Sequence, residues 1–484
     1  MKKHIGILMM TVLVLTSCES WIEVKPVSEI TRSSYWNKEG DVKGYLTGMY
    51  ANFRDMLNET YYREDRGDAL DNGIVGTTSN AWANTLSETV APNWIKFYTH
   101  IHHCNLLLKY GTPIEFNKIE DKNRVLAETY FQRAYTYLIL TQSFGNVPIV
   151  LAPTESSSQE RPSRSPAIEV INQVIADAEM AISLYPEDGI VSRFRSSKAA
   201  ALALKAEAIA WKYQVLKSGT TDDIDEAIAA LETAESISNT SIGAPGSYAS
   251  VFSDKNNPEV IFSVFYGINE KDGMFASKLT TAQTYISVAV NKEDIPYTKS
   301  GIAVHNFAPS AKLKKLYATN DNRASIAYIE AKRSNGRVIL TTQNKYRGTI
   351  YPDGDRHFDN NIIIYRLADL VLLRAELLTL RNRLPEAITQ LERTRTRAGI
   401  GPYTGEVSQT ALAKEILDER GRELCFELKR WPDLLRAHFS GTINVYDLVP
   451  NMFGKNEDSC PLFFPIQRAM MDDNPNLTQT EGYN

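Results

Sequence analysis

Cysteine is scarce in this chain, with four in 484 residues. Three of them, Cys104, Cys425 and Cys460, lie in the body of the sequence; an odd number leaves at least one unpaired, so a disulfide framework is not what organises the fold. Cys104 and Cys425 sit inside helical patterns and read as small buried hydrophobes. Excess charge is missing too. Lys and Arg number 53 against 58 Asp and Glu, a formal net charge of −5, and no basic run offers a phosphate-binding face, which argues against a nucleic-acid partner. Beyond the N-terminus no segment reaches the ~18 uninterrupted apolar residues of a spanning helix. No phosphate loop, zinc-protease helix, G-x-S-x-G elbow or C-x-x-C pair occurs, so no catalytic residue, cofactor or metal is expected. His102, His103 and Cys104 come nearest to a metal cluster, but adjacent residues on a helix point ~100° apart and cannot converge on one ion unaided.

What is present begins at the N-terminus. Lys2-Lys3 precede an apolar run from Ile5 to Leu15, and Leu15-Thr16-Ser17 lead into Cys18. The run is too short to span a bilayer, and its form is similar to a bacterial lipoprotein signal with a lipobox. That reading makes residues 1–17 a signal peptide, with cleavage before Cys18 and lipid on its sulfur and new amino terminus. Several acyl chains, at ~0.8 kcal/mol per buried methylene, hold a protein on a membrane far more firmly than one.

The body of the chain is dominated by helical periodicity. From Asp41 to Met56, the residues Val42, Tyr45, Leu46, Met49, Tyr50 and Phe53 share one face, with Asp41 as the expected cap. Helices are predicted over Trp94 to Lys109 and Asn123 to Phe144, as a hairpin, then over Ala167 to Leu184, Ser197 to Lys217 and Asp223 to Ser238. Between Asn361 and Arg397 an apolar stripe through Leu367, Leu370, Val371, Leu377 and Leu378 breaks at Arg381-Asn382-Arg383. It resumes after Pro385 and stops at Gly399, which predicts another antiparallel hairpin. A last helix is predicted from Ser408 to Leu428, then an irregular tail. Repeated hairpins with alanines at their crossings point to a mainly α, irregular tetratricopeptide-like array. Residues 18–239 form its N-terminal region, 240–361 a loop-rich, partly β insertion with strand-like pieces at Val260 to Tyr266 and Ser325 to Ile329, and 362–484 the C-terminal region. Residues 61–93, rich in Gly, Asn, Thr and Asp and without a sustained period, read as a long surface loop and the first place to look for a site.

Several stretches together resemble the SusD/RagB family of outer-membrane lipoproteins of the Bacteroidetes. They are the lipobox cysteine followed by Trp21 to Pro26; DVKGYLTGMY from Asp41; AETYFQRAYTYLILTQSFGNVP from Ala127; Tyr365 to Gly399; ILDERGRELCFELKRWPDLL from Ile416; and the end of the chain, NPNLTQTEGY. The sequence departs from the usual pattern at Leu428-Lys429, where a glycine and a variable residue are common, and at Pro432. The resemblance implies a helical body of four tetratricopeptide-like hairpins and a lipid anchor in the outer membrane. It also implies capture of a nutrient oligomer, most often a glycan and in some members a peptide, and a SusC-like TonB-dependent transporter as partner. A glycan-cleaving enzyme is the competing class.

The family's motifs do not cover the loops, so site residues follow from chemistry. Sugar binding needs flat aromatic faces with amide, carboxylate or guanidinium groups at the rim. Trp82, between Asn80 and Asn84, meets that requirement best and is either a stacking platform or a packing anchor for its own loop. Trp94, Trp211 and Trp431 occupy helical patterns and read as core. Tyr285, Tyr297 and Phe307 are secondary candidates, whereas Tyr266 and Phe275 read as buried. Glu64, Asp65, Asp68 and Asp71 make an acidic cluster; with Arg63 and Arg66 interleaved, local ion pairing in a solvated loop is expected rather than catalysis, with Asp68 and Asp71 kept as ligand candidates. The basic residues Arg393, Arg395, Arg397, Arg420, Arg422, Lys429, Arg430 and Arg436 are expected to pair with Glu392, Glu419, Glu423 and Glu427 across adjacent helices.

Overall fold

The computed structural model describes residues 35–483 except 77, 157, 268, 269, 271, 272 and 274–277. The signal segment 1–17, Cys18 and Phe275 lie outside the described residues. Ten long helices carry the body: α1 Glu39–Leu57, α2 Ile95–Leu106, α3 Ile119–Phe144, α4 Ala167–Leu184, α5 Lys198–Gln214, α6 Thr221–Ser238, α7 Leu367–Leu380, α8 Leu384–Ala398, α9 Gln409–Leu424 and α10 Arg430–Phe439. Their ends follow local chemistry. Ser197 caps α5 by accepting the Ala200 N–H, and Ser408 caps α9 by accepting the Ala411 N–H. Gly399 closes α8 with φ +74°, a conformation that costs glycine little. Asp41 is not the cap of α1 but its third residue, and its carboxylate reaches back to accept the Lys38 and Asn37 N–H groups.

The helices stack as hairpins α1/α2, α3/α4, α5/α6 and α7/α8, with α7 laid along α6 so that the array continues across the insertion. The predicted partnership of the second and third helices is thus one step out of phase, since α3 packs most extensively on α4. Ala199, Ala203, Ala206 and Ala210 are buried along α5, which lets its neighbours approach closely.

Among the described residues strands appear only as pairs. β2 (Val260–Val264) runs antiparallel to β6 (Ile362–Arg366), every residue of both is buried, and β6 feeds straight into α7. β1 (Leu70–Asn72) pairs with β3 (Phe307–Pro309), and β4 (Tyr328–Lys332) with β5 (Val338–Gln343). The predicted strand at Ser325 to Ile329 begins only at Tyr328, because the N–H groups of Ile326 and Ala327 turn back onto the Arg323 carbonyl. The helix predicted to run to Leu428 stops at Leu424. Phe426 and Leu428 take left-handed conformations, φ +64° and +61°, and Pro432 then sits in the first turn of α10, where a missing N–H costs nothing.

Ion pairs are buried in number where α7 to α10 meet the insertion. Glu423 receives Arg366, Arg397 and Arg323; Glu427 receives Arg366 and Lys345; all six side chains are almost fully buried. The C-terminal basic residues do pair with carboxylates, though over longer range than expected: Arg430 with Asp68, Arg436 with Glu376, Lys429 with Asp369 and Arg393 with Glu235. Arg397 meets Glu423 across adjacent helices as predicted, whereas Arg422 meets Glu419 three residues away on its own helix. Cys104, Cys425 and Cys460 are buried free thiols.

Candidate functional site

The segment 61–93 was expected to be a solvated loop, but its first third is interior. Arg63, Glu64, Asp65, Arg66 and Asp68 are all buried, and the interleaved charges do not pair with one another. Arg63 donates to Glu207 at 2.6 Å and to the Tyr135 hydroxyl at 2.9 Å. Arg66 donates to the carbonyls of Leu462 and Pro461 and stacks on Trp431, 4.8 Å from its ring. Asp68 accepts from Arg430 at 2.6 and 3.0 Å. Burial alone would raise the Asp68 carboxyl, but Arg430 and then Lys312 hold it below the usual carboxylate range. Asp68 is therefore a structural anchor and not a ligand contact. Glu64 lacks such a partner: burial pushes it up to about 8, only partly offset by the Phe426 N–H and by Arg430.

Beyond Asp68 the chain emerges as β1. Gly73 then passes so close to the neighbouring segment that a Cβ there would lie 1.8 Å from the His305 carbonyl oxygen, and its N–H donates to Asn306. Buried His305 joins three segments, its Nδ1 accepting the Ile74 N–H at 2.9 Å and its Nε2 donating to the Thr341 carbonyl at 2.8 Å. Burial lowers its pKa, keeping the ring neutral with the proton on Nε2.

Trp82 sits on a one-turn helix, Asn80–Ala83, capped by Ser79 and closed by Asn84 at φ +51°. Its indole is half-buried, donates through Nε1 to the Leu70 carbonyl at 3.1 Å, and tilts against Phe307 at 6.4 Å between ring centres. It anchors its loop and keeps part of its ring in solvent. Asn80 and Asp71 are exposed beside it. Asn84 is not available to a ligand: it is buried, its side chain accepts from Arg66 and donates to the Trp82 carbonyl, and its carbonyl accepts from Lys455. Phe307 is likewise buried behind Trp82. Tyr266 is buried as expected. Tyr285 and Tyr297 are half-exposed, but they belong to a separate apolar cluster on Ile286, Ile295 and Leu340. Among the described residues no ring contact joins either to Trp82.

Sequence reasoning missed His305, Asn451 and Lys455, the last two holding the backbone carbonyls of Trp82 and Asn84. They lie 369 and 371 residues from the atoms they bind, and no local pattern marks them.

Two family models match the chain, one described as "SusD family" over residues 332–483 and one as "Starch-binding associating with outer membrane" over residues 20–208. SusD-like protein P2 of Formosa agariphila is 26% identical, the alignment covering 95% of each chain. Among solved structures, B. fragilis NanU superposes with a TM-score of 0.82 at 26% identity, covering 95% of this chain and all of that one. The chain belongs to the SusD/RagB family. A surface glycan-binding protein A from Bacteroides uniformis shares the fold, with a TM-score of 0.75 at 18% identity over 92% of this chain and all of that one. In this SusD/RagB chain Leu428 takes a left-handed backbone.

Proposed function

We propose that this SusD/RagB protein is a non-catalytic, lipid-anchored binding protein of the outer membrane, facing the exterior. In this reading it captures an oligosaccharide and hands it to a SusC-like TonB-dependent transporter. The observation that carries the reading is Trp82, a partly exposed indole held from behind by the Leu70 carbonyl and Phe307, with exposed Asn80 and Asp71 at its rim. A pre-positioned aromatic face with amide and carboxylate beside it suits a pyranose ring, which offers C–H groups to the ring face and hydroxyls to the rim. The description of the family model over residues 20–208 and the name of the Bacteroides uniformis structural neighbour support a glycan as ligand. Tyr285 and Tyr297 are proposed as a second aromatic contact for a longer chain. Lipidation at Cys18 supplies the anchor.

The test is a glycan and peptide binding screen on the mature protein, followed by Trp82 variants. Trp82→Ala is expected to weaken the glycan hit by at least about tenfold, and Trp82→Phe, which keeps a ring on the same anchor, to stay within a few-fold. Unchanged binding in Trp82→Ala removes the assignment. A peptide hit in place of a glycan turns the reading to a peptide-import lid, and shorter products on incubation with a glycan turn it to an enzyme.

A further inference from the structure

A cavity of about 190 Å³ opens among the C-terminal parts of α5, α7 and α10 and the first half of α9. None of its lining residues belongs to the loops that carry Trp82, Tyr285 or Tyr297. Its floor is a closed polar network. Gln214 donates to Glu376 and accepts from the Ser440 hydroxyl, Glu376 is held by two bonds from Arg436, and Asp433 is held by Arg420 and Arg436. Each carboxylate at the floor is thus already neutralised from behind. One wall is aliphatic, built from Leu380, Ala413, Ile416 and Ala437. Gln409 uses its amide nitrogen on the carbonyls of Thr379 and Leu380, and its amide joins the hydroxyl-bearing Thr410 and Thr442 in the cavity lining.

These features select a ligand chemistry. Among the described residues no Lys, Arg or His lines the cavity, so an anion finds no counter-charge. With both carboxylates saturated by guanidinium groups, an ammonium gains little. No aromatic ring lines it either, so ring stacking is not its mode. What is offered is an apolar face opposite hydroxyl and amide groups able to donate and accept. We propose that this cavity is a second binding site, distinct from the Trp82 loop, for a small uncharged polyhydroxylated molecule no larger than one sugar unit. The helical scaffold then binds a ligand of its own, in addition to carrying the loops.

Saturation-transfer NMR with methyl β-glucoside, N-acetylglucosamine and erythritol as neutral probes, and methylammonium and acetate as charged ones, tests the proposal. Neutral probes are expected to bind in the millimolar range. Binding should be weakened about tenfold or more by Ala413→Phe, which fills the cavity from the α9 side, and should persist in Trp82→Ala. Where Ala413→Phe does not fold, the double variant Thr410→Val/Thr442→Val gives the same reading, since both residues line the cavity and among the described residues neither hydroxyl makes a hydrogen bond of the fold. No binding of any neutral probe, neutral binding unchanged in these variants, or preference for either charged probe overturns the proposal. Loss of glycan binding in Trp82→Ala with neutral-probe binding retained separates the two sites.

Discussion

At the scale of single residues, charge in this protein is decided by burial rather than by neighbours in sequence. The run from Arg63 to Asp71 mixes two arginines with four carboxylates, and mixed signs in sequence suggest local pairs in water. In the fold Glu64 is fully buried against the Phe426 N–H, with one carboxylate oxygen lacking a hydrogen-bond partner. Its pKa is raised to about 8, so at neutral pH the folded protein holds a proton that the unfolded chain has released. The sign follows: this group's contribution is most favourable below the unfolded pKa of ~4.3, and it is lost progressively as pH rises towards 8. Glu64→Gln is isosteric with the protonated acid and removes that dependence. Relative to wild type it is expected to gain about 3 kcal/mol between pH 5 and pH 8, read as a difference in urea midpoints at the two values. His100 works the other way. Burial pushes it down to about 3, so its contribution is intact above pH ~6.5 and declines as pH falls below it, by ~1.4 kcal/mol per unit.

At the scale of elements, the helices were legible because their signals are local: a serine or glycine at the end, an apolar stripe of period 3.6 between. What was illegible is what distant segments impose. The α9 pattern runs on through Leu428, yet the helix ends at Leu424, because Glu423 and Glu427 are drawn to Arg366 and the Phe426 N–H to Glu64. β1 pairs with β3 from more than two hundred residues away and β2 with β6 from about a hundred, and β2 and β6 carry no alternation because both their faces are buried. Leu428 offers a clean test, being buried and left-handed. Leu428→Ala and Leu428→Gly lose the same packed side chain, but only glycine relaxes the backbone. The glycine variant should therefore be the more stable of the two by about 1 kcal/mol, a reversal of the order found within helices, measured by thermal or urea unfolding. Gly73→Ala is the counterpart in the site. Its methyl group collides with the His305 backbone and should force β1 from β3. The expected loss is about 2 kcal/mol or more of stability, together with the glycan hit proposed for Trp82, compared by titration at matched folded fraction.

At the scale of the whole molecule, the likeness read in the stretches from Asp41 to Tyr483 foretold a helical array with a looped remainder. The array is there, and the interruption between α6 and α7 does not divide it. The candidate site was legible only as chemistry. Trp82, Asn80 and Asp71 stay at the surface, whereas Asp68 and Asn84 are consumed in holding the loop, because their partners Arg430 and Arg66 come from packing that no window of sequence displays. Buried networks tie the parts together. Burial opposes ionisation of Glu423, but Arg397, Arg366 and Arg323 keep its carboxyl well below the normal range. The stability of such groups is present above pH ~4.5 and lost as pH falls through their folded values. Removing the charge by Glu423→Gln leaves three buried guanidinium groups under-compensated and should cost about 3–5 kcal/mol. Fluorescence and circular dichroism should report a single coincident transition, since the helical array and insertion share these ions; separated transitions would show two independent units.

The span of these pairs also bears on how the protein is made. Asp68 waits 362 residues for Arg430, and Arg66 waits 396 for the Leu462 carbonyl. During synthesis Arg63 can meet Glu207 and Asp68 can meet Lys312 while the chain is still growing, but the Arg430 guanidinium and the Leu462 carbonyl arrive only with its last stretch. A product truncated before α10 keeps Lys312 beside Asp68 and Asn84 beside Arg66 but lacks Arg430 and the Leu462 carbonyl, so the segment from Arg430 onward is what seats the base of the Trp82 loop.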